Sequence, residues 1–374
     1  MKKALFLFFE GLPDTVIDSQ VLIHCKEMKK IGVEFEIWSF ACNNELYLKS
    51  INKINYAKEL SQCEVKVFRG VRPAYPFSEN INALLVKRNI TKYKKVFDIV
   101  HARTDYSSHI ASLITNRFIW DCRGDTLAEF EKAYEKSNNI LGKLYKKYKI
   151  INNIEYARKG RKAIFVSTFL KDKLEYKNES SVIGCTADSE LFYFDNALRA
   201  KKRKELGYSI SDKVLIYSGG MAYYQMFHES VKLFQELDDE WKLLVLTNDV
   251  KNAKKELNLL NEEKYILLNV PFDKVNEYLN LADIGIMLRE ENDLNKAASP
   301  TKYAEYSMSG LQIIHSSQIG DLYLYDKLLS NRIKFQDISK YKFNSDIRSS
   351  IAGKAKKYLD KKNNFQQYKR IYDV

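Results

Sequence analysis

Residues 284–315 read IGIMLREENDLNKAASPTKYAEYSMSGLQIIH and predict a strand, a loop, a helix and a second strand in that order. The apolar run Ile284–Leu288 is typical of a buried strand. After a polar loop, Ser299 can cap a helix with Pro300 at its first position, and Gly310 can end that helix. The helix therefore begins near the carboxyl end of a buried strand.

The start of this helix suits a phosphate, because free backbone N–H groups and the positive end of the helix dipole meet there. Lys302 adds a positive charge in the first turn, and Arg289 directly follows the buried strand. Glu305 lies one turn further along on the Lys302 side, where a carboxylate can accept hydrogen bonds from a ribose diol. Two simpler interpretations stay open: Lys302 as a solvated helix charge, and Glu305 paired with a surface lysine.

Three further segments extend this pattern over the chain. They are Val182–Phe192 (VIGCTADSELF), Leu215–Gly220 (LIYSGG), and Val270-Pro271 followed by Tyr278–Asp283 (YLNLAD). Together with residues 284–315, their order and spacing resemble family 4 glycosyltransferases, which are retaining enzymes of the GT-B fold. In that family the first segment is the inter-domain hinge, the second is a strand with its glycine turn, and the third is a base-contact loop with its helix.

The resemblance implies an α/β fold of the GT-B class, with two Rossmann-like parallel-sheet domains facing a central cleft. It implies an N-terminal domain on the acceptor side (1–190), a C-terminal domain on the nucleotide-sugar donor side (191–350), and a C-terminal helix that crosses back to the first domain (351–374). The alternation of strands and helices independently indicates parallel sheets. The predicted strands are Ala4–Phe9, Val33–Phe40, Glu64–Phe68, Asp98–Ala102, Phe118–Asp121, Ala163–Val166, Val214–Tyr217, Lys242–Leu246, Tyr265–Leu268, Ile284–Leu288 and Leu311–Ile314.

Ligands of such open sheets bind outside the carboxyl ends of the strands. The resemblance therefore places the donor at the glycine turn, the base-contact loop and the helix after Ser299. Ser299 and Thr301 are expected to be caps first and ligand contacts second. The implied donor-site residues are Gly219, Gly220, Val270, Pro271, Ser299, Thr301 and Glu305, with Lys302 and Arg289 as the catalytic residues that take the diphosphate charge.

The sequence departs from the family pattern at two points. The family commonly carries two glutamates eight positions apart; Glu305 fits the second, but the first position is Ala297. Glu290, Glu291 and Asn292 are nearby substitutes for the sugar contact of the missing glutamate. Many members also place an Arg and a Lys shortly after the glycine turn, whereas residues 221–226 contain no basic residue.

In the first domain, polar residues follow two predicted strands. His101 and Arg103 end one strand, and Arg123 and Asp125 follow the next. They resemble the sugar-side and acceptor-side loops of related polysaccharide enzymes, which implies a catalytic role for His101 and ligand contacts for the other three. A lone histidine is equally well a core residue, and Arg123 can simply pair with Asp125 across the turn.

Composition agrees with this interpretation. At 374 residues the chain is long enough for two domains with a core each. Its five cysteines form no Cys-x-x-Cys pair and no apolar run reaches membrane-spanning length, so we expect free thiols in a cytoplasmic protein. The net charge of +13 favours anionic partners such as nucleotide sugars and anionic lipid. Nucleic acid is not expected, because the chain lacks an aromatic and basic stripe.

We expect no metal and no other cofactor. The sequence contains no Asp-x-Asp and no His or Cys spacing typical of a metal site, so Lys, Arg and backbone dipoles must neutralise the leaving diphosphate. The expected activity is a retaining, metal-independent transfer from a nucleotide-diphosphate sugar to a surface-glycan or lipid-linked acceptor, at the inner face of the plasma membrane. Two alternatives stay open: a degenerate GT-B protein that binds glycan or nucleotide without transfer, and a GT-B nucleotide-sugar epimerase.

Residues 140–162 combine apolar residues at helical spacing with eight basic residues. The segment predicts a basic amphipathic helix that lies on an anionic bilayer. A core-facing helix with a solvated basic side is the alternative. The two interpretations differ in whether the apolar side chains are exposed or buried.

Overall fold

The computed structural model describes residues 1–13, 15–135, 138–184 and 186–374. The chain forms two compact units. Unit 1 comprises Met1–Gly184 and Asn364–Val374, and unit 2 comprises Cys185–Asn363. Each unit is built around its own parallel sheet. The division into acceptor and donor domains at residues 190 and 350 stays a prediction.

The sheet of unit 1 has seven parallel strands in the order β3-β2-β1-β4-β5-β6-β7. Strand β1 shows why the sheet is buried on both faces. Its residues Ala4, Phe6 and Phe8 enter one hydrophobic core, and Leu5 and Leu7 enter the core on the opposite face. The strands are β1 Lys2–Phe8, β2 Val33–Ala41, β3 Glu64–Arg69, β4 Ile99–Arg103, β5 Phe118–Cys122, β6 Lys162–Phe165 and β7 Glu179–Val182.

Helices connect these strands and cover both faces of the sheet. The first helical segment after β1 is a composite: a π-helical turn at Asp18–Leu22 precedes helix α2 (Ile23–Met28), and a 3₁₀ turn ends before Gly32. The helices of unit 1 are α1 Thr15–Ile17, α2 Ile23–Met28, α3 Asn44–Asn52, α4 Ile54–Ser61, α5 Ser78–Lys92, α6 Thr104–Ser112, α7 Thr126–Ala133, α8 Ile140–Ala157, α9 Thr168–Lys173 and, from the chain terminus, α18 Phe365–Tyr372.

Unit 2 repeats the scheme with five parallel strands in the order β10-β9-β8-β11-β12. Its strands are β8 Lys213–Ser218, β9 Trp241–Leu246, β10 Tyr265–Leu268, β11 Ile284–Met287 and β12 Gln312–His315. Its helices are α10 Asn196–Glu205, α11 Phe227–Gln235, α12 Val250–Leu257, α13 Val275–Leu281, α14 Asp293–Ala297, α15 Thr301–Met308, α16 Leu322–Leu329 and α17 Ser345–Leu359.

All the predicted strands are present, with ends that shift by at most two residues. Strand β7 was not predicted, because its sequence Glu-Ser-Ser-Val has no apolar run and its residues are half-buried or exposed at the sheet edge. In the described ranges, no helix is long and apolar enough to cross a membrane.

The C-terminal region is not one helix, so a single helix over 351–374 is wrong. Helix α17 ends at Leu359, because Asp360 adopts an extended backbone and forms a parallel bridge with Ala187. Helix α18 then begins at Phe365 and belongs to unit 1, where Ile371 and Tyr372 are fully buried. The chain therefore returns to unit 1 through the short helix α18.

Candidate functional site

Each sheet has one point where the chain order of the strands reverses. In unit 2 this point lies between β8 and β11, and in unit 1 it lies between β1 and β4. Open α/β sheets bind ligands outside the carboxyl ends of the strands at such a switch point. In unit 2, Gly219 directly follows β8, and Arg289 lies two residues after the end of β11.

Lys302 lies against the glycine turn after β8. Its Nζ atom donates a 2.8 Å hydrogen bond to Oε1 of Gln225 and lies 4.5 Å from the centre of the Tyr217 ring. A Cβ atom built on Gly219 would be only 2.1 Å from this Nζ atom. The ammonium group therefore occupies the space that a side chain at position 219 would need.

The glycine turn has a backbone that favours glycine. Gly219 has a φ of +146°, and the Tyr217 hydroxyl donates a 2.6 Å hydrogen bond to the carbonyl of Gly220. The Tyr217 hydroxyl thus holds the turn in place, and the Lys302 ammonium lies close to Gly219. The predicted importance of the two glycines has a physical basis here, although their contact with a donor stays a prediction.

Arg289 is buried and held in place by its neighbours. Its backbone N–H donates to Oγ of Ser316 at 2.8 Å, and Oγ of Ser316 donates back to its carbonyl at 2.6 Å. The guanidinium group lies 5.2 Å from the centre of the Tyr224 ring, with Nη1 3.4 Å from the Tyr224 carbonyl oxygen. Burial, the largest cause, lowers the pKa of Arg289.

The short 3₁₀ turn Tyr223–Gln225 therefore contacts both cations. Gln225 accepts a hydrogen bond from Lys302, and the Tyr224 carbonyl accepts one from Arg289. This segment contains no basic residue of its own. It instead positions two cations that other elements supply. Sequence analysis missed the roles of Tyr217, Gln225 and Ser316, because each contact joins residues that are distant in the sequence.

Helix α15 begins at Thr301, one residue later than predicted. Pro300 occupies the cap position with an extended backbone and no side-chain cap, one residue after the predicted cap Ser299. The missing N–H of Pro300 makes this change inexpensive, because the first turn leaves its N–H groups unpaired in any case. Gly310 ends the helix with a φ of +75°, as predicted.

Glu305 is buried one turn beyond Lys302. Among the residues that the structure describes, none donates a hydrogen bond to its carboxylate. Burial raises the pKa of Glu305 to about 7, against the opposing effect of the Lys302 and Lys361 charges. A buried carboxylate without a hydrogen bond is costly, so a ligand that donates one would stabilise this group, and the contact of Glu305 with a ribose stays a prediction.

Burial changes the pKa of Lys302 in the opposite direction to that of Glu305. Burial holds the pKa of Lys302 well below its usual range; the charge of Arg289 lowers it further, and Glu305 raises it. Two cations close together, with one buried carboxylate to compensate, form a site that an anion would complete. The contact of this site with a diphosphate stays a prediction.

The other candidate residues of unit 2 lie around this centre. Ala297 is fully buried in α14 and exposes no polar group. Two residues suggested as substitutes for the missing glutamate, Glu290 and Asn292, contact each other: Nδ2 of Asn292 donates to Oε2 of Glu290 at 3.0 Å. Oδ1 of Asn292 caps α14. After β10, Val270 packs against the core of unit 2, and Pro271 directly precedes the 3₁₀ turn Phe272–Lys274. Contacts of these residues with a donor stay predictions.

In unit 1, His101 is completely buried. Its Nε2 atom lies 3.0 Å from Oδ2 of Asp121, and its Nδ1 atom lies 2.8 Å from the hydroxyl of Tyr372 in α18. The ring stacks on Phe6 at 4.3 Å, and burial lowers the pKa of His101 despite the nearby Asp121 carboxylate. These contacts favour a structural role, while the predicted catalytic role stays untested.

Arg123 and Asp125 do not form the salt bridge that the sequence leaves open as the simpler alternative to ligand contacts. Arg123 Nε lies 2.8 Å from the carboxylate of Asp121, and Asp125 caps α7 while pairing with Lys173 at 2.7 Å. Arg123 and Asp125 have different partners because Asp121, the partner of Arg123, lies within strand β5, whereas Asp125 caps helix α7. The charge of Arg123 also helps to hold the pKa of Asp121 below its usual range, although burial alone would raise it.

Arg103 lies at the switch point of unit 1. Its Nε atom donates to Glu10 at 2.9 Å, while its buried Nη1 atom has no hydrogen-bond partner among the described residues. The predicted ligand contact of Arg103 stays a prediction. In the parts of the chain that the structure describes, no three His, Cys, Asp or Glu side chains are grouped so that they could hold a metal ion.

Comparison with known proteins gives matches only at the level of structure. No protein-family model matches this sequence, and no curated protein matches it. HepE from Anabaena, solved with UDP and glucose, superposes with a TM-score of 0.73 at 13% identity and covers 100% of both chains. Sucrose-phosphate synthase from Thermosynechococcus elongatus superposes with a TM-score of 0.69 at 11% identity, covering 100% of this chain and 98% of the other.

A third similar structure is WaaG, a glycosyltransferase involved in lipopolysaccharide biosynthesis. Its TM-score is 0.64 at 12% identity, and the match covers 99% of this chain and 98% of WaaG. At such low identities the likeness shows the fold alone. The fold class predicted from the sequence is thereby confirmed: the two parallel-sheet α/β units are those of the GT-B glycosyltransferase fold.

Proposed function

We propose that this protein is a family 4, retaining and metal-independent glycosyltransferase. It would move a sugar from a nucleotide-diphosphate sugar to a surface-glycan or lipid-linked acceptor. The observation that carries the proposal is the arrangement of Lys302 and Arg289 at a glycine turn, with the unpaired carboxylate of Glu305 one helical turn away. HepE was solved with UDP and with UDP-glucose, which makes a uridine nucleotide sugar the first donor to test.

The proposed chemistry uses these groups in a defined way. The bond between the anomeric carbon and the diphosphate oxygen breaks, and the electron pair stays on the phosphate. Lys302, Arg289 and the positive end of α15 stabilise this growing charge. The departing phosphate oxygen takes the proton of the incoming acceptor hydroxyl on the same face of the sugar, which retains the anomeric configuration and requires no separate protein base.

The proposed acceptor and location rest on the family resemblance and are supported by the basic charge. A chain with a net charge of +13 is attracted to anionic surfaces, which suits an enzyme that meets its acceptor at the inner face of the plasma membrane. The cytoplasm is also where nucleotide sugars are the natural donors. A saccharide on a lipid-linked carrier or a growing surface glycan fits both conditions.

A degenerate GT-B protein is the second candidate. Ala297 favours it, because a buried methyl group replaces the glutamate that contacts the donor sugar in the resembling family. Such a protein would bind a nucleotide through Lys302 and Glu305 without transferring a sugar. Nucleotide binding is therefore common to both candidates, and only turnover separates them.

A screen of nucleotide sugars tests the proposal. Thermal shift measures binding, and nucleotide release with and without oligosaccharide acceptors measures turnover. Lys302→Ala should lower catalytic efficiency about ten- to hundredfold, because a charged hydrogen bond contributes roughly 1.5–3 kcal/mol. Lys296→Ala is the matched control, since that lysine forms only an exposed pair with Asp293. Binding without turnover for every donor would support the degenerate candidate, and no binding at all would contradict both.

A further inference from the structure

His315 is a buried histidine that the proposed chemistry does not use. It is the last residue of β12, and its side chain is only 1% exposed. Its Nε2 atom lies 2.9 Å from Oδ1 of Asp326 in α16, and its Nδ1 atom lies 2.7 Å from the backbone carbonyl oxygen of Ser316. An ionised carboxylate and a carbonyl can only accept hydrogen bonds. Both ring nitrogens therefore donate, which requires the positively charged imidazolium form of His315.

The groups around the His315 ring favour this charged form. Asp326 faces the ring from α16, and Nη1 of Arg332 lies 3.8 Å from the other oxygen of the same carboxylate. Helix α15 contributes the Tyr303 ring, whose centre lies 5.7 Å from that of the imidazole, and β11 contributes the apolar Met287 as register partner. Asp326 therefore balances the imidazolium charge, and Arg332 helps to keep Asp326 ionised.

The imidazolium holds the residue that positions Arg289. Oγ of Ser316 accepts the backbone N–H of Arg289 at 2.8 Å and donates to the Arg289 carbonyl at 2.6 Å. The carbonyl of the same serine accepts the hydrogen bond from Nδ1 of His315. A short chain of hydrogen bonds thus links the charged ring to the backbone of Arg289.

The Asp326 carboxylate also holds helix α15. Its Oδ1 atom accepts a 3.0 Å hydrogen bond from the hydroxyl of Tyr303, the residue directly after Lys302. The Tyr303 hydroxyl lies 3.1 Å from Oδ1 of Asn331, and Nδ2 of Asn331 donates at 2.9 Å to Ser307, one turn further along α15. Burial and the charge of Asp326 raise the pKa of Tyr303, so its hydroxyl keeps the proton that it donates. The carboxylate that binds the imidazolium therefore also fixes the helix that carries Lys302.

We propose that His315 and Asp326 form a clamp, closed by protonation of the histidine, that positions the two cations of the donor site. The ring acts on Arg289 through Ser316, and the carboxylate acts on Lys302 through α15. A neutral ring can donate from only one nitrogen, and the bond to the carboxylate is the stronger of the two. Loss of the proton therefore releases the Ser316 carbonyl and leaves Arg289 less firmly held. The inference rests on the proposed function, because these cations are the ones that would bind a diphosphate.

Nitrogen-15 NMR of the histidine rings tests the clamp without any ligand. The chain has five histidines, and the ring signals of His315 are identified by their loss in His315→Gln. We expect its ring to carry two N–H protons at about pH 6 and the backbone amide of Arg289 to shift as one proton leaves, between about pH 5 and 9. Glu305→Gln is present throughout, because Glu305 has a pKa of about 7 and would add a second titration. A ring with a single N–H at about pH 6, or an Arg289 amide that does not follow the ring, would overturn the clamp.

Asp326→Asn gives a second measurement that does not require a folded His315→Gln variant. Asparagine keeps an oxygen that can accept from Nε2 and removes the negative charge, so the His315 ring should lose its proton at a lower pH. An unchanged titration of the ring in Asp326→Asn would show that this carboxylate does not stabilise the imidazolium, and the clamp would then be wrong.

Titration calorimetry with UDP connects the clamp to the donor site. Between about pH 6 and about pH 9, we expect the affinity of the unmodified protein to fall about three- to tenfold more than that of His315→Gln. The comparison between two proteins removes the titration of the phosphate and of Glu305, which both share. His228→Gln is the matched control, because His228 also pairs with a carboxylate, that of Glu256 at 2.6 Å, but is 42% exposed; this variant should keep the pH dependence of the unmodified protein.

The outcomes separate the clamp from the proposed function. Equal pH dependence of UDP affinity in the unmodified protein and in His315→Gln would overturn the coupling of His315 to the donor site. Absence of UDP binding at every pH would count against the proposed function, whereas the ring and amide signals would still decide whether the clamp exists.

Discussion

Contacts with Gln225 and Tyr217 fix the position of the Lys302 ammonium, and the absence of a side chain at Gly219 leaves room for it. Gly219→Ala should therefore displace it, since the new Cβ overlaps Nζ and the adjoining Cε. Loss of a charged hydrogen bond to phosphate predicts about ten- to hundredfold weaker nucleotide binding, measured by titration calorimetry.

Gly207→Ala separates this effect from backbone strain. Gly207 also has a positive φ, +74°, but a Cβ there meets no atom within 4 Å. Both substitutions should cost roughly 1–3 kcal/mol of folding free energy through strain, and only Gly219→Ala should weaken nucleotide binding. Equal nucleotide affinity of the two variants would show that the diphosphate does not lie at this turn.

Glu305 predicts an unusual dependence of stability on pH. Its folded-state pKa of about 7 lies above the ordinary value of 4.5, so between these values the folded state holds a proton that the unfolded state releases. The free energy of unfolding should therefore decrease as pH rises from about 4.5 to 7, with a contribution on the order of 3 kcal/mol at most. The favourable contribution is present at low pH and is lost above pH 7.

Glu305→Gln isolates this contribution. The variant should match the unmodified protein in urea unfolding near pH 4.5 and be more stable at pH 8, because it has no charge to bury. Nucleotide binding should weaken in the same variant, since the neutral amide is a poorer acceptor for a ribose diol. A constant stability difference across this pH range would contradict the raised pKa.

Residue-level chemistry could be predicted from the sequence only where it is local. Lys302 and Glu305 lie three positions apart on one helix, so their shared face follows from helical geometry. The bond from Lys302 to Gln225 spans 77 residues and depends on how the helix after β11 meets the turn after β8. No periodicity encodes such a contact, and the same holds for Ser316 against Arg289.

At the scale of elements, we expect helix α18 to stabilise unit 1 measurably. The Tyr372 hydroxyl lies 2.8 Å from His101 Nδ1 and 3.0 Å from His24 Nε2, in a completely buried cluster. Tyr372→Phe keeps the ring and removes both hydrogen bonds, so we expect a loss of about 1–3 kcal/mol in the free energy of unfolding. Tyr323→Phe, at an exposed hydroxyl, should be nearly neutral. Equal stability of the two variants would contradict a structural role of this cluster.

The element pattern shows which signals predict structure and which do not. Strands buried on both faces, such as β1 and β8, appear as continuous apolar runs and could be located to within two residues. The polar edge strand β7 and the break at Asp360 depend on pairing with neighbours, so local composition conceals them. For α8, periodicity indicated a helix but could not decide which face is exposed.

For the whole molecule, the alternation of strands and helices was sufficient to predict two parallel sheets. The order of strands within each sheet places the carboxyl end of β8 beside that of β11, and the carboxyl end of β1 beside that of β4, which makes the switch points the natural positions for ligands. Departures from the resembling family, such as Ala297, could be found in the sequence. Their effect on turnover depends on chemistry at the site and not on the fold.

The charge of the whole molecule gives the last prediction. With a net charge of +13, with Lys302 in the first turn of α15 and with Arg289 after β11, the protein itself can supply the charge that neutralises a leaving diphosphate. A chelator should therefore leave turnover of the best donor nearly unchanged, while added salt should weaken nucleotide binding through screening. The measurement is nucleotide release with EDTA, followed by addition of Mg²⁺ or Mn²⁺. Activity that disappears with EDTA and returns with either ion would show that a metal shares the diphosphate charge, and the roles of Lys302 and Arg289 would then be secondary.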